Sequence, residues 1–212
     1  MWTTTVDGGP DDEWARRSSA PENEAPATVP VSVVLARTAT AAVTLTGVQV
    51  FTTGIAFTVG LRCRPETLAA LESRDLGDLL WGHRGPGPQL LVGVELADGR
   101  RASNVPAGPD ASGDPGGRDA VLFHGGGGSA GQLSADHSWW LSPLPPAGPL
   151  RVVVRCDPLG VPDTVTELDG AAIRAAAEGV VTLWPWVSPH EVDVPMTSPA
   201  PDLPAGSWFA GA

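Results

Sequence analysis

Leu150-Arg151-Val152-Val153-Val154-Arg155-Cys156 is the stretch on which the fold turns. Leu150, Val152, Val154 and Cys156 fall on one side of a two-residue repeat and Arg151 and Arg155 on the other, as in a strand with one buried and one solvated face. The same period runs through Ile55–Cys63, where Phe57, Val59, Leu61 and Cys63 oppose Thr58 and Arg62. It runs again through Leu90–Leu96, where Leu90, Val92, Val94 and Leu96 oppose Glu95. Short β-branched runs at 31–37, 42–51, 120–124 and 180–184, each bounded by turn residues, extend the series. Together they predict an all-β fold, an antiparallel β-sandwich.

Local signals refine this expectation. Gly47 breaks the alternation between Val43/Leu45 and Val48/Val50 and predicts a bulge. Asp98-Gly99 predicts a tight hairpin that pairs 90–96 with 100–104. Two short helices are expected. One covers 65–74 and is opened by Pro65-Glu66; the other covers 169–178, with Thr166 and Asp169 resembling a capping box and Gly179 as the stop. Helices this short are not stable alone in water, so both are expected to plug the ends of the sandwich.

With 212 residues, 42% of them hydrophobic, the chain can bury one sizeable core. Residues 1–29 carry six acids and two arginines, net −4, and residues 187–212 carry three acids and no arginine, net −3, so the formal charge of −11 leaves −4 for the body. Both ends are rich in Pro, Ser and acids without apolar periodicity. They are expected to be a disordered acidic tail (1–29) and a Pro-rich disordered tail (187–212) around a sandwich domain at 30–186.

Absences exclude chemistry. The thirteen basic residues are all arginines and are scattered, which argues against a nucleic-acid groove. Without lysine there is no Schiff-base or Walker lysine, and without tyrosine no phenolic acid. Two cysteines and four histidines are too few for a zinc ribbon or an iron–sulfur cluster, so neither metal nor cofactor is expected. Asp110, Ser112, Asp114 and Asp119 resemble a calcium loop, but Pro115 and Val121 occupy the positions where glycine and a bidentate glutamate are needed. No apolar run of about 18 residues and no basic-then-apolar leader is present, so no membrane span and a cytoplasmic location are expected. There, Cys63 and Cys156 are expected as reduced core thiols.

The glycine-rich segment 124–131 carries the catalytic candidates. Gly127-Gly128-Ser129-Ala130-Gly131 matches G-x-S-x-G, and His124-Gly125-Gly126-Gly127 matches an oxyanion motif. A triad would use Ser129 as nucleophile, His124 or His137 as base, and Asp136 to orient it. The nucleophile motif requires a strand–turn–helix context, and Gln132–Trp140 has no helical pattern, so a flexible loop is the expected state of the run. The tryptophans point elsewhere. Trp139-Trp140, if on a strand, send adjacent rings to opposite faces, one into the core and one outward as a binding surface. Trp184-Pro185-Trp186 puts two rings on one side, and Trp208-Phe209 closes the Pro-rich tail as a docking or partner anchor.

Several segments resemble a family of bacterial proteins for which no function is established: Gly47–Phe57, Val94–Arg101, the glycine run before Trp139-Trp140-Leu141, Pro143–Leu150, and Gly160–Pro162 through Leu183–Pro185. The resemblance spans about residues 45–186. It implies a recurring domain with 1–29 and 187–212 as appendages, and assigns no functional residue. The combined expectation is a non-catalytic protein-interaction or assembly module with an unknown protein partner, itself included. Its binding residues are Trp139, Trp140, Trp208 and Phe209. The alternatives are a small hydrolase built on Gly125–Gly131 and a sandwich that binds carbohydrate or another small ligand.

Overall fold

The computed structural model describes residues 10–71, 76–82, 89–105 and 120–188. Its main body is two antiparallel sheets. The first comprises β2 (Ala27–Arg37), β3 (Ala41–Val50), β4 (Ile55–Cys63), β7 (Leu122–Ala130) and β8 (Ser134–Ser142), in the order β2-β3-β4-β8-β7. The second comprises β5 (Leu91–Glu95), β6 (Arg101–Ser103), β9 (Pro149–Cys156) and β10 (Val161–Asp169), in the order β10-β9-β5-β6. A two-stranded pair joins β1 (Glu24–Ala25) to β11 (Val181–Thr182). The expected all-β sandwich is the observed fold.

The alternating stretches behave as their periodicity requires. Val43, Leu45, Phe57, Val59 and Leu61 from the five-stranded sheet share one core with Val92, Val94, Leu150, Val152, Val154 and Cys156 from the four-stranded sheet. On the solvent side of the latter, Arg151 bonds Glu95 at 2.7 Å and Glu167 at 2.8 Å. These exposed ion pairs solubilise the face and add little stability. Gly47 lies at φ +65° beside the register break between Thr46 and Gln49, the expected bulge. Gly99, at φ +85°, closes the hairpin that pairs Glu95 with Arg101.

Burial also fixes the thiol chemistry. Cys63 and Cys156 are both free, Cys63 half-buried and Cys156 buried. Desolvation pushes the Cys156 thiol up to about 11, so little thiolate forms at neutral pH. Alkylation of the native chain, followed by mass spectrometry, should leave Cys156 unmodified until denaturant is added. Rapid labelling of Cys156 without denaturant would place it outside the core.

Four helices occur among the described residues where two were expected. The expected pair appears as α2 (Pro65–Ala70) and α4 (Gly170–Ala176). Asp169, rather than Thr166, caps α4, its carboxylate accepting from the Ala172 N–H at 3.0 Å. Thr166 instead pairs with Val152 in β10, a strand absent from the sequence expectation. The additional helices are α1 (Pro10–Ser18) and α3 (Gly77–Trp81).

Residues 10–29, expected within a disordered tail, carry regular structure. Within 10–29, α1 runs to Ser18, β1 pairs with β11, and β2 begins at Ala27. Residues 106–119 and 189–212, Trp208 and Phe209 among them, lie outside the described residues.

Candidate functional site

The glycine run is a strand. β7 includes Gly125–Gly128 and pairs with β8 from Leu122↔Ser142 to Ala130↔Ala135. The register shifts between Gly125↔Trp139 and Gly128↔His137, so Gly126 and Gly127 together oppose Ser138. That is a β-bulge in the outermost strand of the sheet. A nucleophile elbow needs a sharp turn into a helix. Ser129 instead sits exposed near the end of an extended strand, opposite Asp136.

The pleat then scatters the remaining triad candidates. Asp136 is engaged by Arg62, whose Nη2 donates to both carboxylate oxygens at 2.8 and 3.0 Å. His124 reaches back to the N-terminal segment, with its Nε2 2.7 Å from the Ser18 carbonyl oxygen. His137 points to the opposite side of β8 from Asp136, is 6% exposed, and shares its face with the core residues Ala135, Trp139 and Leu141. Strand alternation, which makes neighbours diverge, separates the serine–aspartate pair from that histidine.

The two tryptophans obey the same alternation, yet both are buried: Trp139 is 3% and Trp140 5% exposed. The expected outward ring is therefore not a binding surface. Trp139 stacks on Phe123 inside the sandwich, with ring centroids 4.8 Å apart. Trp140 lies on the outer face against Phe51, and its Nε1–H donates to the Arg17 carbonyl at 2.7 Å. The end of α1 covers it, and the Arg17 guanidinium donates to the Ala120 carbonyl at 2.6 Å alongside. Sequence alternation correctly divides the rings but carries no sign of the cover.

On the inner face, His137 and Trp139 line a pocket of about 470 Å³ with Leu80, Trp81 and Phe123. Trp81 meets His137 edge-on at 5.7 Å. Glycine makes this packing possible. A Cβ on Gly125 would lie 2.3 Å from His137 Cε1, and one on Gly128 would lie 2.8 Å from the Trp81 ring and 2.3 Å from the Asp136 carbonyl oxygen.

Burial lowers the pKa of His137 from its ordinary 6.5, against a smaller opposing effect of its hydrogen bond to Gly126. The unfolded chain therefore binds the proton more readily than the folded one. Stability should be complete above 6.5 and decline as pH falls below it toward the folded pKa. Denaturant midpoints across pH 5–8, compared with those of His137→Phe, check this. An equal acid response in the variant would assign the decline to other groups.

A second concavity, about 280 Å³, lies between the segments 15–23 and 184–187. The Leu183 N–H donates to the Asn23 carbonyl at 2.8 Å, and Asn23 Nδ2 donates to the Trp184 carbonyl at 3.0 Å. The Arg16 guanidinium stacks 4.2 Å above the Trp186 ring. Trp184 is 56% exposed, and Val181, Leu183 and Val187 are exposed in the same segment. Trp184, exposed, and Trp186, half-buried beneath Arg16, thus form the accessible aromatic site that Trp139 and Trp140 do not. Their i, i+2 spacing was the available sequence signal; the contribution of Arg16 and Asn23, more than 160 residues away, had none.

No family model, curated protein or solved structure matches the chain, and the family resemblance rests on its sequence segments alone. No described helix is long and apolar enough to cross a membrane. Among the described residues, no three His, Cys, Asp or Glu side chains are grouped to hold a metal ion.

Proposed function

We propose that the chain is a non-catalytic interaction module whose Trp184–Trp186 cleft docks an extended, proline-rich segment of a second copy. The observation that carries this reading is Trp184, a large aromatic left 56% exposed beside a concavity although the fold buries Trp139 and Trp140. Single exposed apolar residues are ordinary, whereas a contiguous exposed run around a cleft marks a contact surface. Proline-rich segments hold an extended helix before binding and lay their rings against aromatic grooves at low entropic cost. The chain carries such a segment itself in Pro195-Met196-Thr197-Ser198-Pro199-Ala200-Pro201-Asp202-Leu203-Pro204. Dispersal of Ser129, His124, His137 and Asp136 favours binding over hydrolysis.

The test is fluorescence anisotropy of a labelled peptide spanning residues 195–206, titrated with the full chain. Saturable binding should weaken about tenfold or more in Trp184→Ala, an ordinary loss for an aromatic hot spot. Replacing Pro199, Pro201 and Pro204 by alanine in the full chain should tighten peptide binding by removing the competing segment supplied by other copies. Affinity that is unaffected by Trp184→Ala, or absent altogether, overturns the reading.

A further inference from the structure

We propose that the pocket lined by His137, Trp139, Trp81 and Phe123 binds a small, uncharged, planar ligand that carries a hydrogen-bond donor next to an acceptor, of which a lactam ring is the simplest kind. The argument begins with two polar atoms. His137 Nε2 lies 3.1 Å from the Gly126 carbonyl oxygen, a contact that requires the Nε2–H tautomer and leaves Nδ1 as an acceptor. His137 Nδ1 has no partner, and neither does Trp139 Nε1, which can only donate. Both side chains are more than nine-tenths buried. Folded proteins pair nearly all such groups. Here an unused acceptor and an unused donor sit two residues apart on one face of β8.

They do not satisfy each other, although their rings lie 4.8 Å apart. Trp139 is held by its stack on Phe123, and His137 is held by the bulge carbonyl of Gly126. Turning either ring toward the other would surrender an existing contact. The deficit is therefore built into the strand, and the complementary ligand offers a donor to Nδ1 and an acceptor to Nε1–H.

The walls narrow the chemistry. Among the described residues, no carboxylate or guanidinium lines the pocket, so an ion would be desolvated without a counter-charge from them. Three of the lining residues, Trp81, Phe123 and Trp139, are aromatic, which favours a flat π-system. The volume of about 470 Å³ suits a small molecule. Burial also keeps His137 in the neutral form that the acceptor role needs. Both nitrogens are out of solvent contact, so binding requires the pocket wall to open; we assign that movement to Trp81, which is half-buried and edge-on to His137.

The test uses α-pyridone, its N-methyl derivative and tetramethylammonium, added separately to the full chain. Nitrogen–proton correlation spectra of the indole groups provide the readout, and Trp139→Phe assigns the Trp139 signal. α-Pyridone should shift that signal saturably, and N-methylation, which removes the donor, should weaken binding about tenfold or more. His137→Phe, which keeps a ring in place without Nδ1, should lose the preference for α-pyridone over its N-methyl derivative. Equal binding of both pyridones by the native chain overturns the proposal, a comparison that needs no variant to fold. A preference for tetramethylammonium, or the absence of any shift at Trp139, also overturns it.

Discussion

Gly125→Ala and Gly128→Ala should each destabilise the chain by about 3 kcal/mol or more, whereas Gly127→Ala should be neutral or stabilise it by up to about 1 kcal/mol. All three lie in one glycine run, and none has a positive φ, so backbone conformation does not distinguish them. Space does. The added methyl at 125 would lie 2.3 Å from Cε1 and 2.5 Å from Nε2 of His137, a ring confined by Trp81 and Trp139. At 128 the obstacle includes the backbone carbonyl of Asp136, 2.3 Å away, so accommodation would require β7 to separate from β8. At 127 nothing lies within 4 Å. There the methyl only restricts the unfolded chain. Chemical denaturation of the three variants side by side measures the contrast. Equal and small effects at all three would return the segment to the flexible loop expected from its composition.

That contrast marks where sequence legibility ends. β4, β5 and β9 were readable because their apolar faces alternate against threonine, glutamate and arginine, leaving the period visible in the residues themselves. β7 was readable only in its first residues, within the 120–124 run; beyond them, glycine has no side chain with which to show a period and little intrinsic strand preference. β7 is held as a strand by its pairing with β8 and by what packs on its glycines, His137 from β8 and Trp81 from α3. β10 was hidden for a different reason. As an edge strand it leaves Val165 57% exposed, so its burial pattern is irregular, and Thr166 with Asp169 mimicked a capping box whose N-cap lies three residues before the real one, Asp169.

The site was legible in part. Strand alternation alone separates His137 from Asp136 and Trp139 from Trp140, and both separations are found. The cover over Trp140 was illegible because it is made through main-chain oxygens: the carbonyl of Arg17 receives the indole proton, and that of Ser18 contacts His124. Any residues at 17 and 18 would supply those carbonyls, so composition pointed only to an acidic tail. The same anonymity conceals the β1–β11 pairing, whose two-residue strands have no room for a periodic pattern.

Trp139→Ala and Trp140→Ala should therefore both cost about 3–5 kcal/mol of stability, since each removes a buried indole from a packed site. Their local consequences should differ. Loss of Trp139 opens a cavity between the sheets beside Phe123, while loss of Trp140 removes both the Phe51 contact and the anchor of Arg17 on the outer face. Amide hydrogen exchange should then accelerate across residues 10–23 in Trp140→Ala well beyond any change there in Trp139→Ala. Trp140→Phe separates packing from hydrogen bonding. It keeps a ring against Phe51 but cannot donate to the Arg17 carbonyl, so the bond's own share should appear as about 1 kcal/mol together with faster exchange confined to the end of α1. If Trp140→Ala left global stability within about 0.5 kcal/mol of the native chain, as an exposed position would, the N-terminal segment would not be coupled to the sandwich. The outer face of β8 would then be the open surface that the sequence alone suggests.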